Sequence, residues 1–134
     1  MNNRVLRAWI LGLAILVVAH LTVFIGVEAG VASTPLDLLV WCSPAVAAFI
    51  TAYLAPRKKI LLGASMALPA AGFVLVINRA HEAKGHAVDF PGWRGGWILL
   101  KVTLEWDLTI CVVVAVIAYF LTRNRVIKGT GEAR

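Results

Sequence analysis

The sequence predicts an all-α membrane protein, a single bundle of four transmembrane helices with both termini in the cytoplasm. Three observations predict it. The 134 residues are 60% apolar and only 15% charged, with a mean hydropathy of +0.84, whereas a soluble domain is roughly 45–50% apolar and about 25% charged. Four apolar runs, at about 8–27, 37–55, 60–77 and 97–121, each approach or exceed the ~20 helical residues that cross a hydrocarbon core ~30 Å thick. Lys and Arg cluster in alternate strips between those runs, the pattern that fixes orientation.

This composition excludes a soluble globular enzyme, a disordered chain and a collagen-like repeat. The net charge of +6 would suit nucleic acid only if it lined a water-facing surface, which short strips between apolar runs do not provide. The lipid bilayer is therefore the expected partner, and nucleic acid is not. Within lipid each backbone amide must be bonded inside its own segment, so the runs are helices. A barrel would show alternation, which none of them does.

Span 1 follows Arg4 and Arg7 and carries one strongly polar residue, His20. Gly30-Val31-Ala32 could serve as a cleavage site, but ~20 apolar residues exceed the ~7–15 of a signal peptide, so span 1 reads as a retained anchor. Span 2 holds Pro44 and span 3 holds Pro69; each removes a helical hydrogen bond and is expected to bend its helix. Small residues recur every four positions at Gly63, Ala67 and Ala71 in span 3, and at Ala48 and Ala52 in span 2. Such rows let backbones approach and gain van der Waals contact that lipid does not supply, so spans 2 and 3 should pack closely. Span 4 contains Lys101, Glu105 and Asp107, and the segment 122–134 reads as a frayed, basic cytoplasmic tail.

Nine cationic residues (Arg4, Arg7, Arg57, Lys58, Lys59, Arg123, Arg125, Lys128 and Arg134) fall on one side of the four spans, and Arg79, Lys84 and Arg94 on the other. Cationic strips are retained in the cytoplasm. Trp9 marks the inner boundary, and Trp41, Trp93 and Trp97 the outer one. Short loops and the lack of an organelle signal suit a bacterial cytoplasmic (inner) membrane.

Chemistry is sought where polar groups enter hydrocarbon, because an ionisable residue at the bilayer centre costs at least about 2.5–3.5 kcal/mol. With span 4 centred at residue 109, Glu105 and Asp107 lie about 6 and 3 Å outward, and His20 lies about 4 Å outward of its own span centre. Ser43 reaches a similar level. The expected intramembrane polar cluster is thus His20, Ser43, Glu105 and Asp107. Glu105 and Asp107 are about 200° apart around a helix, so only one can face His20. Lys101 can pair with Glu105 one turn away, which leaves Asp107 as the expected partner of His20, tying span 1 to span 4.

The outer loop, expected over 78–96, contains His81, Glu82, His86 and Asp89. Its histidines are five apart rather than the four of a helical zinc signature, so no metal is expected; His81, His86 and Asp89 are the loosest set the loop would allow. Trp93, Arg94 and Trp97, among turn-forming residues, are the candidate partner-contact surface. Cys42 and Cys111 differ by about 9 Å in depth, more than a disulfide tolerates, and are expected as two buried free thiols. No catalytic signature, nucleotide loop or cofactor motif is present, so no catalytic residue and no cofactor is expected.

Two functional classes follow. The first is a non-catalytic interaction or accessory component that docks on a membrane complex or self-assembles, with Ala48, Ala52, Gly63, Ala67 and Ala71 as packing surface. The second is a proton- or cation-coupled small transporter or channel using Asp107, Glu105 and His20. Small four-span multidrug exporters compare with this chain in span count alone: their essential carboxylate is in the first span, where this chain has His20, and their charge bias is slight against nine to three here.

Overall fold

The computed structural model describes the backbone of residues 3–30 and 34–131, and the side chains of 3–30 and 36–123. Val31 and Ala32 of the candidate cleavage tripeptide and Arg134 lie outside the described residues, as do the side chains of Arg125 and Lys128. The regular structure of the described residues is all helix: α1 (Asn3–Glu28), α2 (Thr34–Leu54), α3 (Lys59–Ala64), α4 (Ala67–Ala83) and α5 (Gly92–Gly131). Four helical stretches are long and apolar enough to cross a membrane, namely α1, Leu36–Leu54 of α2, α3 and α4 taken together (Lys59–Ala83), and Gly92–Arg123 of α5.

The third stretch is broken where the sequence placed a bend, but the break precedes the proline. α3 ends at Ala64, the chain turns through Ser65 and Met66, and Pro69 is the third residue of α4. At that position a missing N–H removes no bond from the helix proper. The joint is secured by the indole N–H of Trp9, which donates to Ser65 Oγ at 3.2 Å. At Pro44, by contrast, α2 runs on unbroken. The carbonyl that Pro44 leaves free is that of Val40, four residues back, and Ser43 Oγ–H donates to it at 3.1 Å.

Both ends of the outer connection differ from expectation. α4 continues to Ala83 and α5 begins at Gly92, so the loop shrinks to 84–91, His81 and Glu82 lie on α4, and Trp93 and Arg94 lie on α5. The physical cause is local bonding. After Gly72 no glycine or proline occurs before Gly85, which takes the left-handed φ of 80°, and Glu82 Oε1 accepts the Gly92 N–H at 2.7 Å. That places a carboxylate at the positive end of α5. Asn78 Nδ2 donates to Phe90 O at 3.1 Å. At the other end of α5 the backbone runs on as helix to Gly131, where the sequence reading has a frayed segment from Thr122. Thr122 Oγ1 is engaged with the carbonyls of Ala118 and Tyr119.

α2 packs against α1, α5 and α3, and α5 against α2, α4 and α3, while α1 touches α4 more lightly. α1 and α5 therefore lie on a diagonal. The core is built mainly from alanine: Ala47, Ala48, Ala67 and Ala70 with Leu16, Met66 and Cys111, continued by Ala52, Ala115 and Ala118 beside Phe49 and Tyr53. Close backbone approach, not bulky side chains, holds these helices together. Gly63 is wedged so that a methyl group there would stand 2.6 Å from Ala115 Cβ and 3.0 Å from Ala48 O. Gly12 gives α1 the same intimacy with Thr51 and Met66. The outer surface is apolar, with Val18, Ile25, Leu61, Leu68, Val76 and Val113 all exposed.

Candidate functional site

His20 and Asp107 reach the interior from the two diagonal helices. They are 2% and 5% exposed, and both line one cavity of about 110 Å³, with Val40, Trp41, Pro44, Val74, Leu99 and Thr103 forming the rest of its wall. His20 is fixed by its own helix: Nδ1 lies 2.8 Å from Leu16 O, and since a carbonyl only accepts, Nδ1 carries the hydrogen. Phe73 packs on the ring at a centroid distance of 5.4 Å. No hydrogen bond joins His20 to Asp107. His20 Nε2 and Asp107 Oδ2 are both buried without a partner, so the direct tie expected between spans 1 and 4 is replaced by a shared cavity.

The remaining members of the expected cluster go elsewhere. Ser43 is buried at 3% exposure but turns back on Val40 O. Glu105 points out of the bundle with 67% of its side chain exposed, 4.0 Å from Lys101 Nζ. The ~200° between Glu105 and Asp107 forces this separation once one of them faces inward. Thr109 Oγ1–H donates to Glu105 O on the same outer face, where Val102, Glu105, Trp106 and Thr109 line a shallow hollow.

The packing residues Ala48, Ala52, Gly63, Ala67 and Ala71 are all buried, and their neighbours include Ala115 of α5 as well as each other. The cysteines are free, but only Cys111 is buried, its Sγ–H directed at Pro44 O at 3.5 Å. Cys42 is exposed because it stands ~100° around α2 from the inward Ser43, which corrects the expectation of two buried thiols.

A further polar group, absent from the expectations above, gathers on Glu28. The last residue of α1, it receives Lys84 Nζ at 2.7 Å, with His81 Nε2 at 3.7 Å and His86 Nε2 at 3.8 Å. His81 stacks on Phe24, and Lys84 sits over the same ring. The signal was available: Glu28 is the acidic end of span 1 on the side where His81, Lys84 and His86 leave span 3. Asp89 is exposed and takes no part, and among the described residues no His, Cys, Asp and Glu group has the arrangement to hold a metal. Trp93 and Trp97 are exposed and meet edge to face, with Arg79 over the Trp93 ring. Arg94 is exposed beside them.

No family model, no curated protein and no solved structure matches this chain.

Proposed function

We propose that this chain is an integral, multi-pass protein of a bacterial cytoplasmic membrane, with both termini inside, and that it acts without catalysis as an interaction component which self-assembles through the outward face of α5. The nine-to-three distribution of cations supports the orientation, and the apolar exterior of the bundle supports hydrocarbon as its surroundings.

One observation carries the interaction reading: Lys101, Glu105 and Thr109 are exposed together on the outside of α5. Their depth follows from helix register. Gly63 abuts Ala115, so in this antiparallel pair Lys59, one turn before Gly63, is level with about residue 119. Crossing the hydrocarbon takes ~20 residues and reaches about residue 99. Glu105 then lies ~9 Å below the outer boundary. Lys101 is long enough to reach the headgroups, but Glu105 is not, and a carboxylate facing lipid costs on the order of 2.5–3.5 kcal/mol near the helix centre.

A protein surface satisfies Glu105 better than lipid does, and a second copy of this chain fits it by charge. Around a two-fold axis along the membrane normal, each Lys101 stands one turn, ~6 Å, outward of the other copy's Glu105, a drop that its long side chain spans, giving two reciprocal ion pairs across an isologous contact. The hollow at Val102 and Trp106 supplies apolar contact area. The test is the self-association of purified protein in bilayer nanodiscs or bicelles, followed by energy transfer between labelled copies. Lys101→Glu should weaken the dimer by about tenfold or more, or ~1.4 kcal/mol, and adding Glu105→Lys should restore it, because the swap keeps the pair self-complementary. A chain that remains monomeric at every protein-to-lipid ratio refutes self-assembly, and a swap that fails to rescue refutes the pairing.

A further inference from the structure

The cavity between His20 and Asp107 presents a chemical imbalance. With Nδ1–H committed to Leu16 O, a neutral His20 offers Nε2 as a bare acceptor. Asp107 Oδ2 is a second unpartnered acceptor, and both residues line the same cavity. The Thr103 side chain lies in the same wall, and one hydroxyl has a single hydrogen to give. Two acceptors that cannot bond each other, in a space of about 110 Å³, require a donor between them. Liquid water occupies about 30 Å³ per molecule and needs two or more polar partners to stay in a buried site. Both conditions hold here.

We propose that this cavity is a hydrated proton-binding site, in which water bridges Asp107 Oδ2 to His20 Nε2 and one proton taken from the aqueous phase is held between them. The balance is simple. A carboxylate and a neutral imidazole carry one negative charge, and a single added proton leaves the pair neutral, with no bond other than O–H or N–H made or broken. A neutral pair is the form that apolar walls accept most readily.

The surrounding elements leave the pair to itself. From α1 only His20 faces the cavity; α2 contributes Val40, Trp41 and Pro44, and α4 contributes Val74. On α5 the neighbouring titratable group is Cys111, one turn inward, whose thiol is directed at Pro44 O. The Glu28 group lies two turns outward along α1, ~12 Å away. A metal cation fits less well than a proton, because hard cations take six or more oxygen ligands and the walls offer one carboxylate and one hydroxyl. The site is independent of the outward face of α5, since Glu105 points away from it.

Infrared difference spectroscopy of the full chain in nanodiscs tests this. A carboxylic acid carbonyl band should appear and vanish reversibly with pH while the protein stays folded, be lost in Asp107→Asn, and move its midpoint by ~1 pH unit or more in His20→Gln. Exchanging sodium for choline at fixed pH should leave the band unchanged. If Asp107→Asn fails to fold, nitrogen NMR of the wild-type ring decides, because His20 must show Nδ1 protonated throughout and an Nε2 acceptor resonance that shifts at the midpoint of the carboxyl band. An Asp107 carboxyl in one state at all pH values, a midpoint indifferent to His20, displacement by sodium, or the opposite His20 tautomer would each overturn the proposal.

Discussion

Replacing Gly63 by alanine tests the close-approach architecture at its narrowest point. The new methyl would stand 2.6 Å from Ala115 Cβ, 3.0 Å from Ala48 O and 3.1 Å from Ala52 Cβ, whereas carbon atoms rest at about 3.5–4.0 Å. The overlap with Ala115 is thus about 1 Å. α3 is held between α2 and α5, so moving away from one drives it into the other. Overpacking of this kind costs about 1–3 kcal/mol, a roughly 5- to 150-fold loss in the ratio of folded to unfolded protein. Gly72 is the matched control: a methyl there meets nothing within 4 Å, and Gly→Ala inside a helix is expected to stabilise by about 0.5–1 kcal/mol. Unfolding by SDS in mixed micelles, followed by circular dichroism, measures both variants. Ala115→Gly in the Gly63→Ala background removes the nearest atom and should recover part of the loss. If Gly63→Ala is no less stable than Gly72→Ala, the packing of α3 described above is wrong.

Trp9→Phe removes the indole donor at the α3–α4 joint and should cost ~1 kcal/mol in the same assay, whereas Trp41→Phe, at an exposed position, should be close to neutral. Glu82→Gln loses the Arg79 ion pair and weakens the acceptor at Gly92. Because both groups are partly exposed, the global cost should be slight, while amide exchange in the first turn of α5 should accelerate a few-fold. In detergent, a lipophilic maleimide should label the exposed Cys42 and reach the buried Cys111 only after unfolding; equal labelling of both in the folded state would contradict the placement of α5.

Much of the candidate site could be read from the chain, and its limits have a physical cause. That Glu105 and Asp107 cannot share a face is helix geometry, visible in a spacing of two. Which one turns inward is a matter of azimuth, set by where the helix surface admits its neighbours, and here Asp107 and Ala115 face the bundle on the same side of α5. The missing bond between His20 and Asp107 was beyond sequence reasoning, since matching depths say nothing of the diagonal placement of α1 and α5. The short outer loop was obscured because a polar stretch such as 78–83 reads as loop by hydropathy, although its residues tolerate helix and Glu82 closes the connection by binding Gly92.

The amino-acid sequence alone determined the number of long apolar helices and the order in which they follow one another, because the length of an apolar run is a one-dimensional property of a chain and can be counted along it. The tertiary structure alone decided which side of each helix is hidden. That choice depends on where two backbones approach within a methyl group of contact, as at Gly12 and Gly63, and those contacts join residues far apart in the chain.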